Sequence, residues 1–301
     1  MNLFSGYDLF GLQAKPGQCS GHLEVGVVSP VAFVLTYTIS QDMLFSGLRS
    51  MDHVCFAAAP PLNSEGAQTV PWFWKNKTLP RHLVGGFDLT ETVSHYKISR
   101  HHQHVCLFVD RKALMAQLDQ PKNRTVLEYM SSANSCVLPE KCYWDFVHYV
   151  LVGAFYPQIA SYKECPILSV LDVLNDGSYA HALPSAQLLP SSTQLLKSTR
   201  KLKQDILSGI NVTQFGEIAG LGRTQLNTAC QEVYSCSPKQ LLRSIRLEEA
   251  MLLLRSPAER SFHGLSTITD IHNYVGIQSG SAFRKAFSEW FLTTPKSCWV
   301  D

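Results

Sequence analysis

The stretch from Ser266 to Trp299, STITDIHNYVGIQSGSAFRKAFSEWFLTTPKSCW, limits the fold more than any other part of the chain. Thr267 stands three residues before Asp270, a pairing that satisfies free N–H groups at a helix start, and Ile268, Ile271 and Val275 then recur at helical spacing. Gly276 follows the last periodic residue. Lacking a β-carbon, it reaches the left-handed conformation that closes a helix and turns the chain sharply. A second helix is expected from Gly280 or Ser281, with Phe283, Phe287 and Trp290 or Phe291 on its inner face and Ser281, Arg284 and Lys285 left to solvent. Two short helices joined by so tight a turn predict a helix-turn-helix, whose second helix can enter a major groove and offer donors to base edges.

A similar unit lies upstream. Asn211 and Gln214 repeat the capping pattern, Phe215, Gly216, Ala219 and Leu221 are the inward positions, and Gly220 marks the turn. Leu226, Cys230 and Val233 then form the apolar stripe of a second helix whose free face carries Arg223, Thr224, Asn227 and Thr228. A short helix over Leu202 to Leu207 is expected to lead into this unit. Between the two units, LLRSIRLEEAMLLLR reads as one long amphipathic helix, with Leu242, Ile245, Ala250, Leu253 and Leu254 inward. Leu226 and Phe283 hold equivalent places 57 residues apart, enough chain for the two helices to meet successive major grooves. The helix starts at Asn211 and Thr267 are expected to meet phosphates, because free N–H groups suit anions.

With 301 residues the chain is long enough for about two domains. An apolar fraction of 45% supports buried cores, and 17% charged residues argue against a disordered chain. No apolar run has the length of a membrane span, and MNLFSGYDLF has neither the basic start nor the apolar run of a signal peptide. Nine scattered cysteines without a C-x-x-C pair fit reduced thiols in a cytosol. The net charge of +2 divides unevenly: from Lys197 onward there are 13 basic against 9 acidic residues, and upstream 13 against 15. The basic bias accompanies the paired units, though it is modest for a nucleic-acid binder.

From about Gln18 to Val109 the runs HLEVGVV, VAFVLTYTI, HVCFAAAP, TVPWFWKN, RHLVGGFDLT and HVCLFVD predict antiparallel strands of a sandwich or small barrel. Phe33, Trp72, Phe73 and Trp74 suit the lining of an apolar effector pocket, with plain core as the heavier alternative. His95, His101, His102 and His104 invite a metal reading, but no carboxylate sits at a fitting offset, and SRHHQH reads as a solvated hairpin end. No metal and no cofactor are expected. Residues 110–176 change to helical periods in RKALMAQL, CYWDFVHYVLVGAFYPQI and ECPILSVLDVLND, and 177–195, with its prolines and serines, reads as a linker. The expected division is thus a sandwich with a helical segment over 1–176, the linker, and a helical domain over 196–301, an α+β chain.

Residues 198–299 resemble the DNA-binding domain of the AraC/XylS family of bacterial transcription regulators, on RLEEAMLLL, ITDIHNYVGIQSGSAFRKAF and the terminal TTP. The amino-terminal pattern resembles the jelly-roll sensor domain and helical dimerisation segment usual in that family, nearest the ethanolamine-utilisation regulators. The resemblance implies a cytoplasmic, nucleoid-associated homodimer that binds promoter DNA, commonly activates through RNA polymerase and answers a small-molecule effector. Position by position it nominates Thr224, Asn227 and Thr228 for base edges, Arg223 for phosphate, and Ser281, Arg284 and Lys285 for the second groove. The chain departs from the pattern at His272, where Ala is usual, at Ile277 for Phe, at Ser235 and Leu292 for Gly, and at Cys298 and Trp299 for Tyr and Arg. An enzyme is the rival of another class. A Ser-His-Asp set, a Walker-type loop and a His-x-His plus Glu set are missing, and a repair methyltransferase would need more cysteines near its start than Cys19 and Cys55. Control by a partner protein or by thiol oxidation stays open beside the effector.

Overall fold

The structure is a computed structural model, and it describes residues 8–68, 72–74, 77–90, 93–156, 181–184, 188–206 and 209–301. The strands in chain order are β1 (Asp8–Gln13), β2 (Gly21–Ser29), β3 (Ala32–Ile39), β4 (Met43–Leu48), β5 (His53–Ala58) and β6 (Trp72–Trp74), then β7 (Lys77–Thr78), β8 (Leu83–Gly85), β9 (Val93–Ile98), β10 (His104–Asp110), β11 (Ala133–Val137) and β12 (His181–Pro184). The helices are α1 (Arg111–Leu118), α2 (Arg124–Met130), α3 (Glu140–Phe155), α4 (Pro190–Ile206), α5 (Val212–Ala219) and α6 (Arg223–Tyr234), followed by α7 (Pro238–Arg255), α8 (Pro257–Phe262), α9 (Ile268–Tyr274), α10 (Gly280–Phe291) and α11 (Pro295–Cys298). The chain is α+β, sheet-rich toward its start and helical toward its end. It divides into two compact units, one of Met1–Asp8, Gly21–Ile39 and Leu48–Gln187, the other of Leu9–Ser20, Ser40–Gly47 and Leu188–Asp301.

In the first unit seven strands lie in the order β12-β11-β8-β5-β10-β3-β2. β10 explains why HVCLFVD is apolar without a break. Its Leu107 lies opposite Val34 and Phe56, and its Phe108 opposite Phe33 and Cys55, so alternate residues feed opposite faces of the sheet. Val105, Leu107 and Val109 pack with Phe56, Phe87, Leu114, Met130, Phe146 and Val150 under α1 to α3, while Cys106 and Phe108 pack with Phe33, Ala57 and Leu83 on the other side. α1 starts at the cap Asp110, whose carboxylate accepts from the Ala113 N–H at 2.8 Å. α3 buries Tyr143, Phe146, Val147, Tyr149 and Val150 on one side and leaves Lys141, Trp144, Asp145 and His148 exposed on the other.

The histidine run is not a solvated hairpin end: His95, His102 and His104 are 1%, 2% and 1% exposed. Burial, reinforced by His102, lowers the His104 pKa to about 3, and its ring stacks on Tyr37 at 5.1 Å. Residues 110–176 are not helical throughout, because β11 pairs with β8 through Ser135 opposite Gly85 and Cys136 opposite Val84. β9 carries buried Ser94 and His95, polar residues that hid it from a hydropathy reading. The expected helix ECPILSVLDVLND lies outside the described residues.

The second unit holds α4 to α11, with β1 and β4 as neighbouring strands. The short helix expected over Leu202 to Leu207 is in fact the end of the 17-residue α4. α4 begins at Pro190, inside the stretch read as linker, since proline is well suited to a first turn and Leu195, Leu196, Thr199 and Leu202 are buried. α7 is capped by Ser237 and Pro238 and buries Leu241, Leu242, Ile245, Leu247, Ala250, Leu253 and Leu254. Against its last turns pack Ile271, Val275, Phe283, Phe287 and Phe291, with the Phe287 and Phe291 rings 4.7 Å apart.

Candidate nucleic-acid interface

Two helix-turn-helix units share α7. In the first, the Asn211 side chain accepts from Thr213 and Gln214 N–H at 2.9 and 3.0 Å, while Gln214 Oε1 accepts from Asn211 N–H at 2.8 Å. In the second, Thr267 Oγ1 accepts from Asp270 N–H at 3.1 Å and Asp270 accepts from Thr267 N–H at 2.7 Å. Hydrogen bonds from Thr267 first, and from Ser266, hold the Asp270 carboxyl below its ordinary 3.8. Both helix starts expected to meet phosphate therefore already engage part of their N–H set with their own side chains, and the second also carries a negative charge.

The turns match bond for bond. Gly220 (φ 64°) donates to Glu217 at 3.0 Å and Leu221 to the Gly216 carbonyl at 2.8 Å; Gly276 (φ 73°) donates to Asn273 at 2.9 Å and Ile277 to His272 at 2.8 Å. Here the His272 departure finds its accommodation. Its ring is 8% exposed, Nδ1 bonds the Ile277 carbonyl at 2.8 Å, and a β-carbon added to Gly280 would come 3.1 Å from Nε2. The imidazole fills the space that Gly280 leaves empty. In the first unit a β-carbon on Gly216 would sit 2.8 Å from the Leu221 carbonyl, so backbone closes the same place.

Beyond each turn comes the helix that faces outward. α6 buries Leu226, Ala229, Cys230 and Val233 and exposes Arg223, Thr224, Asn227 and Thr228. α10 buries Phe283, Ala286, Phe287 and Phe291 and exposes Ser281, Arg284 and Lys285. The Ser281 hydroxyl is 2.9 Å from that of the cap Ser279, which orients it. Each face thus holds a cation and hydroxyl or amide groups that can donate and accept, the set needed for phosphates and base edges. Sequence reasoning missed a basic cleft of about 460 Å³ between α7 and α10, lined by Arg243, Arg246, Lys285 and Glu289 among others. Arg243 pairs with Glu289 at 3.0 Å. The signal was the i, i+3 spacing of Arg243 and Arg246 on one side of α7.

The remaining departures are built in. Ser235 and Leu292 end α6 and α10 at φ 53° and 52°, the left-handed conformation that glycine adopts without strain. Trp299 lies under the Arg260 guanidinium, 4.0 Å from its ring centre, while Arg260 donates to the Leu253 and Leu254 carbonyls at the end of α7. Of the residues nominated for an effector pocket, Phe33 is buried and stacked on Phe108 at 4.9 Å; Trp72, Phe73 and Trp74 form β6, and their side chains lie outside the described residues. Among the described residues no group of three or more His, Cys, Asp or Glu is placed to hold a metal, and no helix is long and apolar enough to cross a membrane.

Residues 215–298 match a protein family described as "Helix-turn-helix domain". No curated protein matches the chain. Among solved structures it is similar to an AraC-type transcriptional regulator from Chromobacterium violaceum at 20% identity, over 36% of this chain and 90% of that one, with a TM-score of 0.32. It is similar to the C-terminal domain of AraT, a response regulator from Geobacillus stearothermophilus, at 19% identity over 38% and 92%, with a TM-score of 0.32. ToxT from Vibrio cholerae is similar along 96% of both chains, at 10% identity and a TM-score of 0.32. The family match lies over both capped helix-turn-helix units and the helix that links them, so residues 215–298 form a helix-turn-helix domain.

Proposed function

We propose that the chain is a sequence-specific activator that reads two successive major grooves, one with α6 and one with α10. The observation that carries this reading is the pair of outward faces, Arg223, Thr224, Asn227 and Thr228 on one and Ser281, Arg284 and Lys285 on the other, each backed by a fully buried stripe. Thr224, Asn227 and Thr228 take base edges, Arg223 a phosphate, and Arg284 and Lys285 the second groove. Asn211 and Thr267 lie beside the phosphate backbone. The chain works as a cytoplasmic, nucleoid-associated homodimer and recruits RNA polymerase. It has no enzymatic step.

The first unit is the input: a jelly-roll-like sensor with a helical dimerisation segment and an apolar effector pocket near Phe33, Trp72, Phe73 and Trp74. Burial pushes the Cys136 and Cys230 thiols up to about 12, where the reactive thiolate is scarce, so those two cysteines are poor sites for thiol oxidation. Transcription from a bound promoter with purified RNA polymerase tests activation. More transcript on adding the chain supports it, and less transcript makes the chain a repressor. A thermal-shift screen of metabolite classes tests the input, since stabilisation by one class supports the pocket and none at millimolar concentration supports a protein partner.

A further inference from the structure

The two helix-turn-helix units are joined twice. α7 is the covalent joint. The second joint is a contact made by three residues far apart in sequence. A β-carbon built on Gly276, in the turn of the second unit, would lie 2.7 Å from the Cα of Gly209 and 3.4 Å from its nitrogen, just before the first unit begins. Beneath this contact runs Arg246 of α7. Its guanidinium donates to the carbonyl of Ile210, the residue before the Asn211 cap, and its Cζ lies 3.6 Å from where a Gly276 side chain would start. Arg246 thus bonds the entrance of the first unit and stands beside the turn of the second.

A single helix joining two bodies leaves them free to rock about its ends, whereas a second contact closes the ring and removes that freedom before binding. Gly209 (φ 79°) and Gly276 (φ 73°) both occupy left-handed backbone, and neither the conformation nor the space admits a larger residue at Gly276. The geometry points to Gly209, Gly276 and Arg246 as a clasp that fixes the angle and separation of α6 and α10, and so fixes the spacing of the two DNA half-sites the chain accepts. Arg246 is a positioning residue: it acts through the two recognition helices and need not touch a base.

The consequence lies in spacing. One base pair added between half-sites displaces the second by about 3.4 Å and turns it by about 34° around the duplex, more than a clasped pair can follow. This inference rests on the DNA-binding reading, and its test keeps the two separable. Duplexes are first selected from a random-sequence library with the full wild-type chain, and the selected site is then rebuilt with one base pair inserted or deleted between its halves. Wild type is expected to lose about tenfold in affinity at each altered spacing, whereas Arg246→Ala and Arg246→Gln lose less than about threefold. Arg246→Lys, which keeps a donor for Ile210, is expected to lie between.

If wild type selects no site, the DNA-binding reading falls first. If it does select one and the Arg246 variants weaken binding equally at all spacings, Arg246 is a phosphate contact and the clasp is wrong. A thermal unfolding curve for each variant identifies any chain that has lost its fold. Gly209→Ala gives a second route to the same readout, since its β-carbon would meet Gly276 at an ordinary 3.8 Å and only the backbone is perturbed. Unaltered spacing preference in Gly209→Ala and in both Arg246→Ala and Arg246→Gln overturns the proposal.

Discussion

The Nδ1 of His272 lies 2.8 Å from the carbonyl oxygen of Ile277, across the turn of the second helix-turn-helix. A carbonyl only accepts, so Nδ1 carries the proton and the ring is held as one tautomer. The other nitrogen faces Gly280 at the start of α10. One side chain therefore links the end of α9 to the beginning of α10. His272→Ala is expected to cost about 1–3 kcal/mol, the range for leaving a buried partner unbonded. Gly280→Ala alone also destabilises, since its β-carbon meets an anchored ring. Combined, they cost about 1 kcal/mol less than their sum, because the new methyl enters the vacated space. Urea unfolding of the four chains measures the cycle; strictly additive costs would show that the two positions do not share that space.

Two further positions carry backbone strain. Ser235 and Leu292 sit in left-handed backbone at the ends of α6 and α10, where a β-carbon is unfavourable, and Leu292 is 65% exposed, so its side chain contributes little packing. Ser235→Gly and Leu292→Gly are each expected to raise stability by about 1 kcal/mol. A lowered midpoint in either would mean that its side chain packs better than its exposure indicates.

The carboxyl-terminal unit was far more legible than the amino-terminal one, for physical reasons. Capping pairs such as Thr267 and Asp270, and turn glycines such as Gly220 and Gly276, act between residues a few positions apart, so their bonds are written locally. β11 owes its strand to pairing with β8, about fifty residues upstream, and nothing within ANSCV announces it. The histidine run misled because exposure is a property of packing: His102 and His104 read as solvent-facing and are buried. In the candidate site, the outward faces of α6 and α10 followed from helical period. The Arg246 bond to Ile210 beside Gly276 did not, because it brings together three segments that meet only in the folded unit.

Arg284 is exposed on α10 beside Lys285. A bidentate grip on guanine is worth about 1–3 kcal/mol of discrimination. Arg284→Ala is expected to lower affinity for a selected site by that amount relative to random duplex, in anisotropy titrations at fixed salt. An unchanged ratio, with a salt dependence shallower by about one ion, would instead assign Arg284 to the backbone.

The first unit is expected to be acid-labile. His104 is held neutral by burial with its pKa lowered to about 3, while the unfolded chain takes up that proton near 6.5. Below 6.5 the unfolded state binds the extra proton, so stability falls as pH drops from 6.5 toward the folded value. His104→Phe keeps a ring against Tyr37 and removes the titration. Its unfolding midpoint should change less than that of wild type between about pH 7 and about pH 4.5. An equal change in both would remove His104 from the cause.

Hydroxyl-radical cleavage of a selected duplex bound by the full chain tests the central claim most directly, because it maps which sugars the protein covers. Two helices reading adjacent major grooves predict two protected patches about 10 base pairs apart on one side of the duplex, each lost separately when the exposed residues of α6 or of α10 are replaced by alanine. A single patch, or protection on opposite sides of the duplex, would contradict it.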